Sequence, residues 1–118
     1  MKKYTEEEQS NALKVVVSSI NNCEKMQPKF AEGSSQHTLL RNRIKALYIA
    51  KSLIWKDEFF AEFSKEELSK AQAPILSIRS KSEKGIEKFE EGHATYSRLN
   101  KIIKSMTLVN DLLVEEMR

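Results

Sequence analysis

The chain repeats itself. Glu24 to Gly33 reads Glu-Lys-Met-Gln-Pro-Lys-Phe-Ala-Glu-Gly, and Glu83 to Gly92 reads Glu-Lys-Gly-Ile-Glu-Lys-Phe-Glu-Glu-Gly. The offset is 59 residues, half of the 118-residue chain. At that offset residues 5–54 align on residues 64–113 without a gap, and fifteen of the fifty pairs are identical. Chance would give roughly three, so an internal repeat is the first reading to test. Other pairs keep their character, among them Val16/Ile75, Leu47/Met106, Ile49/Leu108 and Ile54/Leu113. Two unrelated amphipathic helices would also look alike, but they would not hold one register through a glycine turn.

A repeat of about fifty residues with scarce Gly and Pro and much Lys, Glu, Ala and Leu favours helices over a sheet. The hydrophobic fraction of 40% suffices for one globular domain. Residues 1–59 hold ten Lys/Arg and seven Asp/Glu, and residues 60–118 hold ten of each, for a net charge of +3. That mild excess suits solubility and does not by itself imply nucleic acid. The single cysteine, Cys23, excludes an intramolecular disulfide and offers no zinc spacing. A reducing compartment, and so a cytoplasmic location, is expected. The charged start Met1-Lys2-Lys3-Tyr4 leads into no apolar stretch of the signal-peptide kind, and no apolar run approaches a membrane span.

Thr5-x-x-Glu8 is a capping box for a first helix, and Ser64-x-x-Glu67 is its counterpart for a third. Ala12, Val16, Ser19, Cys23, Met26 and Phe30 recur at alternating spacings of four and three, the seam of a bundle helix. Leu13, Val17 and Ile20 widen that stripe. Pro28 predicts a kink there or a helix end near Met26. Gly33 suits the left-handed residue that closes a helix, and Ser34 or Ser35 can cap the next one. A second helix is expected from about Gln36 to about Lys56, with Leu40, Ile44, Leu47, Ala50 and Ile54 inward. The third helix should turn Leu68, Ala71, Ile75, Ile78, Ser82, Gly85 and Phe89 inward, with a kink or break just before Pro74. Gly92 closes it. Thr95 is the expected cap of a fourth helix packing Leu99, Ile103, Met106, Val109 and Leu113. The expected fold is all-α: an up-down four-helix bundle made of two duplicated helical hairpins related by a pseudo-two-fold axis, in one domain.

Residues 55–63 connect the hairpins and have no full counterpart in the second half. Trp55, Phe59, Phe60 and Phe63 give this connection four of the nine aromatics. They read either as a plug over one end of the bundle or as an exposed docking surface, and they are the candidate partner-binding residues. Arg41, Lys45, Arg98, Lys101 and Lys104 are the candidate basic face on the second and fourth helices. Such stripes can meet phosphates, but they also make ordinary solvated faces. Phe30 and Phe89 read as core anchors, one per hairpin. Cys23 reads as a buried, unreactive thiol.

His37-Thr38-Leu39 resembles the start of the His-Thr-Leu-Lys-Gly signature of histidine phosphotransfer domains. That resemblance implies a four-helix bundle with a phosphorylatable His37. Leu40 stands where that signature has lysine, and Arg41 where it has glycine. In size, charge and helical class the chain is also similar to bacteriocin immunity proteins. A single Glu-x-x-His, Glu90 to His93, straddles the Gly92 turn; phosphate-cradling glycine loops, His-Glu-x-x-His and Gly-x-Ser-x-Gly do not occur in the sequence. The first functional expectation is therefore a non-enzymatic protein without cofactor that acts on another protein or on itself. A basic nucleic-acid-associated regulator is the second, and a phosphotransfer bundle the third.

Overall fold

The computed structural model describes residues 3–55 and 62–118. Among these the chain is all-helical, with α1 (Glu6–Met26), α2 (Ser35–Trp55), α3 (Lys65–Ile86) and α4 (Ala94–Met117).

Local chemistry sets the ends of these helices. The Thr5 hydroxyl accepts from the Glu8 amide at 3.0 Å, and the Glu8 carboxylate accepts from the Thr5 amide at 2.9 Å. Ser64 and Glu67 repeat the exchange at 3.1 and 3.0 Å. Each box satisfies helix-start donors that have no partner within the helix. Pro28 ends α1 as expected. After Met26 the backbone tightens into a short 3-10 turn, Gln27–Lys29, and Phe30 leaves it in extended conformation. Gly33 and Gly92 take φ of +88° and +98°, the left-handed region where side chains are strained. Ser34 caps α2, its hydroxyl accepting from the His37 amide at 3.2 Å.

At α3 and α4 the structure departs from part of what the sequence predicts. No break occurs at Pro74; α3 runs through it to Ile86. The cap of α4 is His93, whose Nδ1 accepts from the Thr95 amide at 3.0 Å, so Thr95 lies inside the helix. His93 stands 59 residues after Ser34, the cap of α2. Turn hydrogen bonds recur at the same interval. The Phe30 amide donates to the Gln27 carbonyl and Phe89 to Ile86; Ser34 donates to Ala31 and His93 to Glu90.

Each helix packs on the next in sequence, and α4 returns to pack on α1. The α2–α4 diagonal also closes, whereas α1 and α3 make no close approach among the described residues. The core joins Val16 and Ile20 of α1, Ala46, Leu47, Ala50 and Leu53 of α2, Leu68, Ala71 and Ile75 of α3, and Met106, Val109 and Leu113 of α4. Small residues sit at positions 59 residues apart (Ala12 and Ala71), as do larger ones (Leu47 and Met106). This alternation lets the helices interdigitate.

The expected seam is too long at its ends. The buried residues of α1 stop at Ile20, and Met26 is 46% exposed. Phe30 and Phe89 are only partly buried and belong to no part of the core cluster. Both follow the end of their helix, where helical periodicity no longer aims a side chain inward. Phe89 instead lies against the His93 ring, with centroids 5.0 Å apart.

Candidate functional site

At the end of the molecule where α2 stops, an exposed ring stands beside a groove. Trp55 closes α2 and is 59% exposed, the largest exposure among the big apolar side chains of the described residues. It lines a groove of about 190 Å³ with Tyr4, Gln9, Leu53, Ile54, Leu108 and Leu112. Phe63, on the other side of the connection, is partly buried and packs against the core. Phe59 and Phe60 lie outside the described residues. Of the aromatic candidates, Trp55 is therefore on the surface and Phe63 contributes to covering the core.

Tyr4 organises this end. Its hydroxyl donates to the Asp111 carboxylate of α4, its backbone carbonyl accepts from the Gln9 side chain at 3.1 Å, and Lys3 pairs with Asp111 at 3.0 Å. Partial burial, together with the neighbouring carboxylate, pushes the Tyr4 phenol up to about 12. The Tyr4 hydrogen bond, reinforced by Lys3, holds the Asp111 carboxyl below its ordinary range. The segment that precedes α1 is thus fastened to the far end of the chain.

Tyr4 also lines a second groove, of about 460 Å³, between α1 and α4. Glu8 and Asn11 stand on the α1 side. Lys101, Ile103, Lys104, Ser105, Thr107 and Leu108 come from α4. The helical spacing of 101, 104, 105 and 108 places these four on one face of α4. Sequence reasoning singled out Lys101 and Lys104 by charge but not the groove. Only the packing of α4 on α1 brings Glu8 and Asn11 opposite them.

Arg41, Lys45, Arg98, Lys101 and Lys104 are all exposed. Lys101 and Lys104 share the α1–α4 groove, and Arg41, Lys45 and Arg98 do not line it. Arg43 lies between helices instead. One of its terminal nitrogens donates to the Ser77 hydroxyl at 3.4 Å, while its buried Nε has no partner among the described residues. Cys23 is partly buried, and burial raises its thiol pKa against the opposing pull of Arg43. A thiol so shifted is a weaker nucleophile at neutral pH.

His37 sits in the first turn of α2, where its backbone, not its ring, makes the cap contact with Ser34. Its carbonyl accepts from the Gln27 side chain at 3.4 Å. Arg41, one turn on, is exposed. Among the described residues no group of three or more His, Cys, Asp or Glu side chains could hold a metal ion, and no helix is long and apolar enough to cross a membrane.

The chain matches no protein-family model, no curated protein and no solved structure.

Proposed function

We propose that this chain is a small cytoplasmic, non-enzymatic binding protein that engages another protein through the end of the molecule marked by Trp55. In this reading a helical hairpin was duplicated to give an up-down four-helix bundle with pseudo-two-fold symmetry. The recurrence of caps, turn bonds and left-handed glycines at an interval of 59 residues supports that origin. Duplication supplies each surface twice, so a specific contact is best sought where the halves differ.

The observation that carries the proposal is Trp55. Its repeat counterpart is Val114, a smaller side chain that is 40% exposed, against 59% for the indole. Exposing an indole forgoes the burial that would stabilise the monomer by about 2 kcal/mol. Tryptophan is also among the residue types enriched in binding hot spots. It stands beside a groove floored by Leu53, Leu108 and Leu112, so a partner's apolar side chain would meet both a ring and a depression.

The test is affinity capture from the source cell with the wild-type chain and with Trp55→Asp, alongside sedimentation of each to read self-association. Loss of the partner or of the self-associated species in Trp55→Asp, with an unchanged helical circular dichroism spectrum, is the expected result. Equal capture by both proteins would sink the proposal. Capture abolished by nuclease would favour the basic nucleic-acid reading, through Arg41, Lys45, Arg98, Lys101 and Lys104.

A further inference from the structure

We infer that the groove between α1 and α4 is a binding site for a small organic anion with an apolar body, of the chemical class of medium-chain monocarboxylates. Its volume of about 460 Å³ falls in the range of small-molecule sites, about 300–1,000 Å³. Leu108, 2% exposed, and Ile103 make its lining apolar.

The polar groups decide the sign of the occupant. Ser105 is 5% exposed and lines the groove. The Lys101 and Lys104 ammonium groups stand at the rim, and neither forms an ion pair among the described residues. The neighbouring carboxylates have partners within the chain. One oxygen of Glu8 accepts from the Thr5 amide, and Asp111 holds Tyr4 and Lys3.

The charged groups of the lining are two ammonium groups against one carboxylate, a net positive balance. That balance calls for an anionic acceptor. The apolar lining calls for a hydrocarbon body, which an inorganic anion lacks. A neutral alcohol would leave the lysines without a counter-charge. Among the described residues Glu8 is the one anionic side chain lining the groove, and it opposes the ligand head group.

The probe is sodium octanoate, titrated into the full chain and followed by amide chemical shifts, with octanol and acetate as controls. Octanoate should shift amides of residues 8–11 and 101–108. Octanol should bind about tenfold more weakly, and acetate should produce no shifts. The Lys101→Gln/Lys104→Gln double variant should lose about tenfold in octanoate affinity and none in octanol affinity. Glu8→Gln, which keeps the capping box, should tighten octanoate binding. Both lysines are exposed, so thermal unfolding of the double variant should match the wild type. The inference is overturned by absence of octanoate binding at millimolar concentration, by equal affinity for octanoate and octanol, by shifts lying away from the groove, or by an unchanged affinity in the lysine variant.

Discussion

Tyr4 donates to Asp111 across 107 residues of sequence, so the turn leading into α1 is held by the last third of α4. α1 and α4 belong to different hairpins, and their contact joins the two halves, as does that of α2 on α3. The bond therefore acts between halves and not within one. Tyr4→Phe keeps the ring and removes the hydroxyl. It should cost about 1 kcal/mol in denaturant unfolding, the value for a partly exposed hydrogen bond to a charged group.

The same pair sets a pH dependence. Asp111 is held below its ordinary value near 3.8, so its contribution is present at neutral pH and lost as pH falls below that value. Tyr4 is raised from 10.0 to about 12, so its contribution is present below pH 10 and lost as pH rises between those values. Stability measured against pH should fall at both margins in the wild type. The alkaline loss attributable to Tyr4 should vanish in Tyr4→Phe; persistence of the full alkaline slope in that variant would assign it to other groups.

Gly33 and Gly92 test the backbone alone. A Cβ built on either meets nothing within 4 Å, so substitution introduces no clash with a neighbour. The left-handed φ remains, and a residue with a Cβ costs about 1–2 kcal/mol there. Gly33→Ala and Gly92→Ala should each lower stability by about that amount, and the asparagine variants should lose less. A neutral alanine at either position would show that its turn can relax.

Much of this architecture was legible because its determinants are local. Thr5 with Glu8, Ser64 with Glu67, Pro28, Gly33 and Gly92 each act within about four residues, and the structure places helix ends or turns beside all of them. Val16, Leu47, Ile75 and Met106 were legible as core because the helical period carries them inward along continuous helices. The rest depends on where helices end and how they meet. Phe30 and Phe89 follow the helical stretch that the period describes, and Met26 stands at its last turn. The cap of α4 went to His93 because an imidazole nitrogen can accept as a serine hydroxyl does, a substitution that a scan for Ser, Thr, Asn and Asp overlooks. The α1–α4 groove exists only where the first helix meets the last, and no local signal marks it.

Phe30 and Phe89 accordingly differ from true core positions. Leu47 is fully buried, and Leu47→Ala should cost about 2–5 kcal/mol. Phe30→Ala and Phe89→Ala remove rings that are partly solvated and lie outside the core cluster, so each should cost about 1–2 kcal/mol. Thermal or urea unfolding of the three variants gives the ranking directly. A loss at Phe89 equal to that at Leu47 would mean that the α3–α4 turn is as cooperative as the core.

Pro74 carries the riskiest expectation. It lies inside α3, has no amide hydrogen to give the carbonyl of Lys70, and places its ring against that preceding turn. The helix nevertheless continues through it, held on its inner face by Ala71 and Ile75, which are 3% and 0% exposed. Tertiary packing therefore outweighs the local cost, which in an interior helix position is about 3 kcal/mol. Val15, 59 residues earlier, lies within α1, which runs uninterrupted to Met26. Restoring the donor in Pro74→Ala should raise stability by about 1–3 kcal/mol, reduced by whatever contact the partly buried ring makes. Urea unfolding measures the change, and hydrogen exchange of the amide introduced by that substitution would show whether the bond to Lys70 forms. Lower stability with a protected amide would mean that the core is fitted to the proline-containing helix and cannot accept the regular one.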